Sequence, residues 1–184
     1  MLEITIDEQE LFDNSIQEFV TVKRQTLRLE HSLVSLSKWE SKWHKPFYSK
    51  QEKTTEETID YIKCMTLTQN VDPVVYTYGL SQKNLDEIDK YILDSATATT
   101  ITEHGSSSKG RINGEIVTAE LVYYWMIAFN IPFECQKWHL NRLITLIKLC
   151  SIKNSPSKKM SKKETASYYA QLNESRRKQW NTKG

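Results

Sequence analysis

The most constraining feature of this 184-residue chain is a run of nine consecutive apolar or aromatic residues at 121–129. No other segment carries as much apolar surface, so we expect the core to form around it. The chain breaks at 130–132, and the apolar residues that follow recur at helical spacing as far as Cys150. Residues 118–150 are therefore predicted to form a buried helical hairpin, with its second helix starting after Pro132.

The same run is too short to cross a membrane. A transmembrane helix needs about 20 apolar residues, whereas the segment at 119–133 is interrupted by Glu120, Asn130 and Pro132. We therefore expect no membrane partner.

The N-terminal residues alternate between apolar and polar, which is typical of strands with one buried face. Leu2, Ile4 and Ile6 show this pattern, and residues 19–23 and 26–30 resemble two further short strands. Turn-forming residues stand at 13–15. These features predict a small antiparallel meander.

Helix signals dominate the middle of the chain. Ser32 is placed to cap a helix that Pro46 ends, Thr54 and Glu57 form a capping box, and Ser81 caps a third helix. Residues 97–102 and 114–117 have strand character and flank a polar Gly/Ser-rich loop at 103–113, which predicts one further β-hairpin.

Together these patterns predict an α+β fold that is predominantly helical, with small N-terminal antiparallel strands, one further β-hairpin and a core helical hairpin. We expect a single globular domain at 1–152, made of the meander at 1–31 and a mainly helical part at 32–152. Residues 153–184 are predicted to be a basic C-terminal arm with a helix that is marginal by itself in water.

Charge is unevenly distributed along the chain. Residues 151–184 contain nine Lys/Arg and two Glu, a net charge of +7, and the remaining residues carry −5. A basic arm that also contains Tyr168, Tyr169 and Trp180 can bind nucleic acid through phosphates and stacking, or it can dock on a protein or stay solvated.

Candidate catalytic and metal-binding residues are sparse. Cys135 and His139 stand four residues apart in a predicted helix, which is half of a zinc site. No second ligand pair stands at the usual spacing, and no third group completes a Cys–His nucleophile. We expect a core cysteine and a histidine that hydrogen-bonds a backbone carbonyl. The sequence therefore predicts no enzyme, no catalytic residue, no metal and no cofactor.

The three cysteines, at 64, 135 and 150, all lie in apolar helical patterns without regular spacing. They are expected to be reduced core residues of an intracellular protein.

Aromatic residues flanked by cations form two candidate partner-binding clusters. Such residues are common at protein–protein contacts and equally common as core anchors, and the sequence leaves both interpretations open. The candidates are Trp39, Trp43, His44, Lys45, Lys137, Trp138, His139 and Arg142.

Most of the chain resembles a family of proteins encoded by tailed bacteriophages with long non-contractile tails, often labelled tail assembly chaperones. The resemblance is carried by SLVSLSKWESKWHKPF at 32–47, IDYIKCMT at 59–66 and the segment at 117–164 that contains WMIAFNIPFECQKWHLNRL.

This resemblance implies a non-enzymatic role in virion morphogenesis in the cytoplasm of the host bacterium. The implied partner is the helical tape-measure protein, which the chaperone holds before the tail tube polymerises. The tail tube protein and a second copy of the chain are further expected partners. Two alternatives remain: a minor virion or connector protein, and a nucleic-acid-binding phage protein that uses the basic arm.

Overall fold

The computed structural model describes residues 1–101, 111–112, 115–154 and 162–181. It confirms the predicted α+β, mainly helical fold. The strands are β1 (Leu2–Ile6), β2 (Gln9–Asp13), β3 (Glu18–Val22), β4 (Gln25–Leu29), β5 (Arg111–Ile112) and β6 (Glu115–Ile116). The α-helices are α1 (Leu33–Trp43), α2 (Thr55–Met65), α3 (Gln82–Leu93), α4 (Ala119–Ala128), α5 (Leu140–Asn154) and α6 (Lys162–Trp180).

The first four strands form one two-stranded ribbon in two segments, an inner half (β1 and β4) and an outer half (β2 and β3). Both pairs are antiparallel. The register is continuous, because the pair Ile6–Gln25 is followed three residues further on each strand by the pair Gln9–Val22. The predicted meander is therefore wrong in its pairing, since β3 and β4 follow one another along one side of the ribbon.

The ribbon turns a different face to the body in each half. In the inner half, Ile4, Ile6 and Leu27 are buried. Their alternation would place Phe12 on the buried face of the outer half, yet Val22, on the opposite face, is the residue buried there. The break between the two strand pairs thus reverses the packing face.

A π-helical turn, Val75–Gly79, fills the corner where the ribbon changes face. A Cβ on Gly79 would lie 2.9 Å from Ile6 Cγ2 and 3.1 Å from Val22 Cγ1. Only glycine allows this backbone to approach both halves of the ribbon at once.

Side-chain caps begin the first three α-helices as the sequence predicts. Ser32 caps α1, Thr54 and Glu57 form the capping box of α2, and Ser81 caps α3. The end of α1 is set by His44, whose φ of 53° is left-handed, two residues before Pro46.

Helix α4 begins at the predicted cap Thr118 and contacts both α1 and α5. The predicted helical hairpin is present, but α5 begins at Leu140 rather than directly after Pro132. A 3₁₀ turn, Phe133–Lys137, separates the two helices. None of the described helices is long and apolar enough to span a membrane.

A second hairpin is present as predicted, but its first strand differs. Arg111–Ile112 pairs with Glu115–Ile116, whereas residues 97–101 are not a strand. Residues 102–110, which include most of the predicted loop, lie outside the described residues, as do 155–161. The predicted arm contains α6, and its separation from the body at residue 153 stays a prediction.

Candidate partner-binding surface

The first predicted cluster lies where the end of α1 packs on α2. Trp43 is half-buried, and its Nε1 donates to Asp60 Oδ2 at 3.0 Å. Lys42 and Lys45 flank its ring, with Nζ atoms 5.6 Å and 5.7 Å from the ring centroid. The ring is therefore held at the surface between two cations.

Both lysines of this cluster already have acidic partners within the molecule. Lys42 pairs with Asp60, and Lys45 pairs with Glu57. The hydrogen bond from Lys45 holds the pKa of Glu57 below its usual value. These contacts fix the geometry around Trp43 and neutralise much of the cationic character that the sequence suggests.

Trp39 belongs to the core rather than to a surface. Its side chain is 1 % exposed and its Nε1 donates to the Glu57 carbonyl at 2.9 Å. It stacks edge-on against Phe47 and Tyr61. A partner does not reach this ring in the folded protein.

The second predicted cluster is split between surface and core. Lys137 is exposed, and Arg142 Cζ lies 4.3 Å from the Trp138 ring centroid. His139 is only 8 % exposed. Ser32 forms an isolated bridge with His139, so this cluster is beside the start of α1. Ser32 is about 16 Å from Trp43 along the axis of α1, because eleven residues of helix separate them.

His139 does what the sequence predicts: its Nε2 lies 3.0 Å from the Tyr91 carbonyl oxygen. The predicted helix that joins it to Cys135 is wrong, since Cys135 lies in the 3₁₀ turn and α5 begins after His139. Among the described residues, no three His, Cys, Asp or Glu side chains are grouped to hold a metal ion.

His139 is also part of a buried pair that the sequence does not indicate. Its ring centroid lies 5.1 Å from that of His31, whose Nδ1 is 2.6 Å from the Tyr61 hydroxyl. Burial, with a smaller contribution from His139, lowers the pKa of His31 to about 3. His31 is therefore neutral at physiological pH, and as a fully buried side chain it meets no substrate.

Among the described residues of the helical body, a contiguous exposed apolar surface lies on α4 and the 3₁₀ turn after it. Tyr124 and Ile127 are both 63 % exposed, and Phe133 is 52 % exposed. Tyr124 and Ile127 are three residues apart and lie on one side of the helix. Tyr123 joins them to Phe133, with ring centroids 6.4 Å apart. We call Tyr123, Tyr124, Ile127 and Phe133 the α4 patch.

The α4 patch is held in place by a buried carboxylate on α1. Glu40 is 7 % exposed and accepts hydrogen bonds at 2.7 Å from two backbone amides, those of Phe47 and Ala119. Ala119 is the first residue of α4, where a negative charge is favoured by the helix dipole. Burial nevertheless raises the pKa of Glu40.

The residues of the α4 patch are not among those that the sequence singles out. The signal was present in the nine-residue apolar run, which has no polar residue to mark an outer side. A helix that is apolar all round must be buried on every side or contact something else. Only the position of α4 at the edge of the body shows which of its residues stay exposed.

In comparisons with known proteins, no family model, no curated protein and no solved structure matches this chain.

Proposed function

We propose that this protein is a non-enzymatic phage morphogenesis factor, a tail assembly chaperone that binds the helical tape-measure protein before the tail tube polymerises. The proposal combines the family resemblance of residues 32–47, 59–66 and 117–164 with the α4 patch. The site of action that follows is the cytoplasm of the host bacterium.

The α4 patch is the observation that carries the proposal. Its two outermost side chains, Tyr124 and Ile127, are each 63 % exposed in a body that buries most of its other large apolar residues. Contiguous exposed apolar side chains mark interaction sites. An amphipathic helix presents an apolar stripe of its own, and burying that stripe on the α4 patch would keep it from aggregating.

The non-enzymatic part of the proposal is supported by where the reactive side chains lie. Cys135 and His139 are 6 % and 8 % exposed. Cys64 is half-buried, and this burial raises the pKa of its thiol, which disfavours the reactive thiolate.

Co-expression with the tape-measure protein tests the proposal. The wild-type chain should keep the tape-measure protein soluble and co-purify with it. A Tyr124→Ser/Ile127→Ser variant should lose at least about tenfold in binding, because two apolar anchors are removed from the contact. Both side chains are exposed, so the fold should keep its stability within about 0.5 kcal/mol.

Leu93→Ser is the matched control, since Leu93 is also 63 % exposed but lies at the end of α3. It should bind as the wild type does. A tape-measure protein that stays insoluble with the wild-type chain contradicts the proposal, as does equal binding by all three proteins. Detection of the chain in purified virions would favour a minor structural protein instead.

A further inference from the structure

The outer half of the ribbon has a second exposed apolar surface, distinct from the α4 patch. Phe12 and Phe19 are 50 % and 69 % exposed. They are direct partners across the two strands, and their rings meet edge to face with centroids 5.1 Å apart. Ile16, in the connecting turn, is 56 % exposed. We call these three residues the ribbon patch.

The ribbon patch is turned away from the body. The opposite face of the outer half is the one that packs, because Val22 is buried there and Gln9 Nε2 donates to the Tyr78 carbonyl. Tyr78 also donates its hydroxyl to Asp13. These contacts hold the outer half in place, so the exposure of the two phenylalanines is a fixed property of the fold.

The segment that carries the ribbon patch is acidic. Residues 7–18 contain five carboxylates and no Lys or Arg. The Asp13 carboxylate already accepts hydrogen bonds within the molecule, from Ser15 and Tyr78. These hydrogen bonds, that of Ser15 first, lower the pKa of Asp13 to about 2. Glu10 is exposed and shares a face with Phe12, because alternate residues of a strand point the same way. The complementary ligand is therefore apolar or aromatic with a basic border.

Helix α6 of the same chain has these properties. Tyr169 and Trp180 are 58 % and 59 % exposed, and Arg176 is also exposed. Their spacing of seven and eleven residues from Tyr169 places all three along one side of the helix. Residues 162–180 contain five Lys/Arg and two Glu, so the charge of α6 is opposite to that of the ribbon.

The stripe on α6 is about as long as the strands that carry the ribbon patch. The stripe from Tyr169 to Trp180 is about 16 Å long at 1.5 Å per residue, and the five-residue strands of the outer half extend about 14–17 Å. Phe12 and Phe19 are exposed in the same molecule in which Tyr169 and Trp180 are exposed. The two surfaces therefore do not bury each other within one chain.

We propose that the ribbon patch of one molecule binds the Tyr169–Arg176–Trp180 stripe of a second copy. Each molecule has both surfaces, so the contact is heterologous and repeats head to tail, which gives a ring or an open chain of subunits. The contact lies outside the α4 patch and leaves that patch available.

Light scattering and sedimentation velocity of the full chain test this proposal. The mass should rise with protein concentration up to about 100 µM, and the rise should weaken with added salt because opposite charges meet. Phe12→Ser/Phe19→Ser should reduce self-association at least about tenfold through loss of two aromatic anchors. Circular dichroism checks that each variant folds.

Charge reversal provides the sharper test. Glu10→Lys alone and Arg176→Glu/Arg177→Glu alone should each be monomeric, whereas a mixture of the two should associate, because the reversed ribbon faces a reversed helix. Glu52→Lys, an exposed residue before α2, is the control and should associate as the wild type does.

A monomeric wild type overturns the proposal, as do charge-reversed variants that associate alone or fail to associate when mixed. Nucleic acid is the competing ligand of α6. If Arg176→Glu/Arg177→Glu abolishes binding to a short DNA duplex at roughly 0.2 M salt and leaves the mass unchanged, α6 binds nucleic acid and the proposal fails.

Discussion

Acidification from pH 7 to pH 5 should destabilise this fold through a single residue, His31. Its side chain is fully buried, with Nδ1 2.6 Å from the Tyr61 hydroxyl and the ring against that of His139. Burial and, to a smaller extent, His139 lower its pKa from 6.5 to about 3. The unfolded chain therefore takes up a proton below pH 6.5 that the folded chain does not accept until about pH 3.

The sign and size of the effect follow from this difference. Above pH 6.5 His31 is neutral in both the folded and the unfolded chain and has no effect on stability. As the pH falls from 6.5 toward 3, the free energy of unfolding falls by up to about 1.4 kcal/mol per pH unit. Between pH 7 and pH 5 the free energy of unfolding should fall by about 2 kcal/mol because of His31 alone. For a domain stable by about 5–15 kcal/mol this loss is readily measured.

Urea unfolding followed by tryptophan fluorescence at half-unit pH steps measures the loss. His31→Asn keeps a polar group near the Tyr61 hydroxyl but cannot be protonated. It should be less stable than wild type at pH 7, yet lose about 2 kcal/mol less on the way to pH 5. His44→Asn is the control, because His44 is exposed and asparagine accepts its φ of 53°.

Other titrating groups do not alter this comparison. The lowered pKa values of Asp13 and Glu57 place their effects at more acidic pH. Glu40 acts in the opposite direction, because its pKa is raised in the folded chain and the fold therefore gains stability as the pH falls toward that pKa. Glu40 is present in the wild type, in His31→Asn and in His44→Asn, so its effect cancels in the comparison. Equal pH slopes for wild type and His31→Asn would refute the reasoning.

Three further perturbations address long-range contacts. Glu40→Ala leaves the backbone amides of Phe47 and Ala119 without their acceptor. It should lower the free energy of unfolding in urea by about 2–4 kcal/mol, and amide exchange should show fraying of α4. A loss below about 1 kcal/mol would argue against the two hydrogen bonds. Gly79→Ala places a methyl group 2.9 Å from Ile6 Cγ2. It should lower the free energy of unfolding by about 1–3 kcal/mol and change NMR chemical shifts in both halves of the ribbon. Unchanged stability would show that the corner is not tightly packed. Trp39→Phe removes the hydrogen bond to the Glu57 carbonyl. It should lower the free energy of unfolding, measured by thermal unfolding, by about 1–3 kcal/mol. Unchanged stability would mean that this hydrogen bond makes no net contribution.

Short-range features were predictable because the groups that interact are close in sequence. The caps at Ser32, Thr54, Ser81 and Thr118 each bond to a backbone amide three residues ahead, so the residue types at that spacing are sufficient to place a helix start. Apolar periodicity identified the inward sides of the helices, as in α1, whose Leu33, Leu36 and Trp39 are all buried. These features gave the α+β, mainly helical class.

The pairing of the ribbon was not predictable in the same way. A strand of five residues does not specify its partner, and β3 pairs backward with β2 rather than forward with β4. At the reversal of the buried face the ribbon packs against Gly79, which is more than fifty residues away from Val22 in the chain. Local alternation alone would have buried Phe12 and exposed Val22.

By itself, the sequence determined the fold class and the starts of α1, α2, α3 and α4, because these depend on neighbours within one or two helical turns. The tertiary structure decided which apolar and polar groups are exposed. Trp39 enters the core and Ile127 stays outside. Glu40 reaches the start of α4 across 79 residues, and His31 meets His139. Each of these outcomes depends on how distant segments pack, and the exposure of a side chain is a property of that packing rather than of its neighbours in sequence.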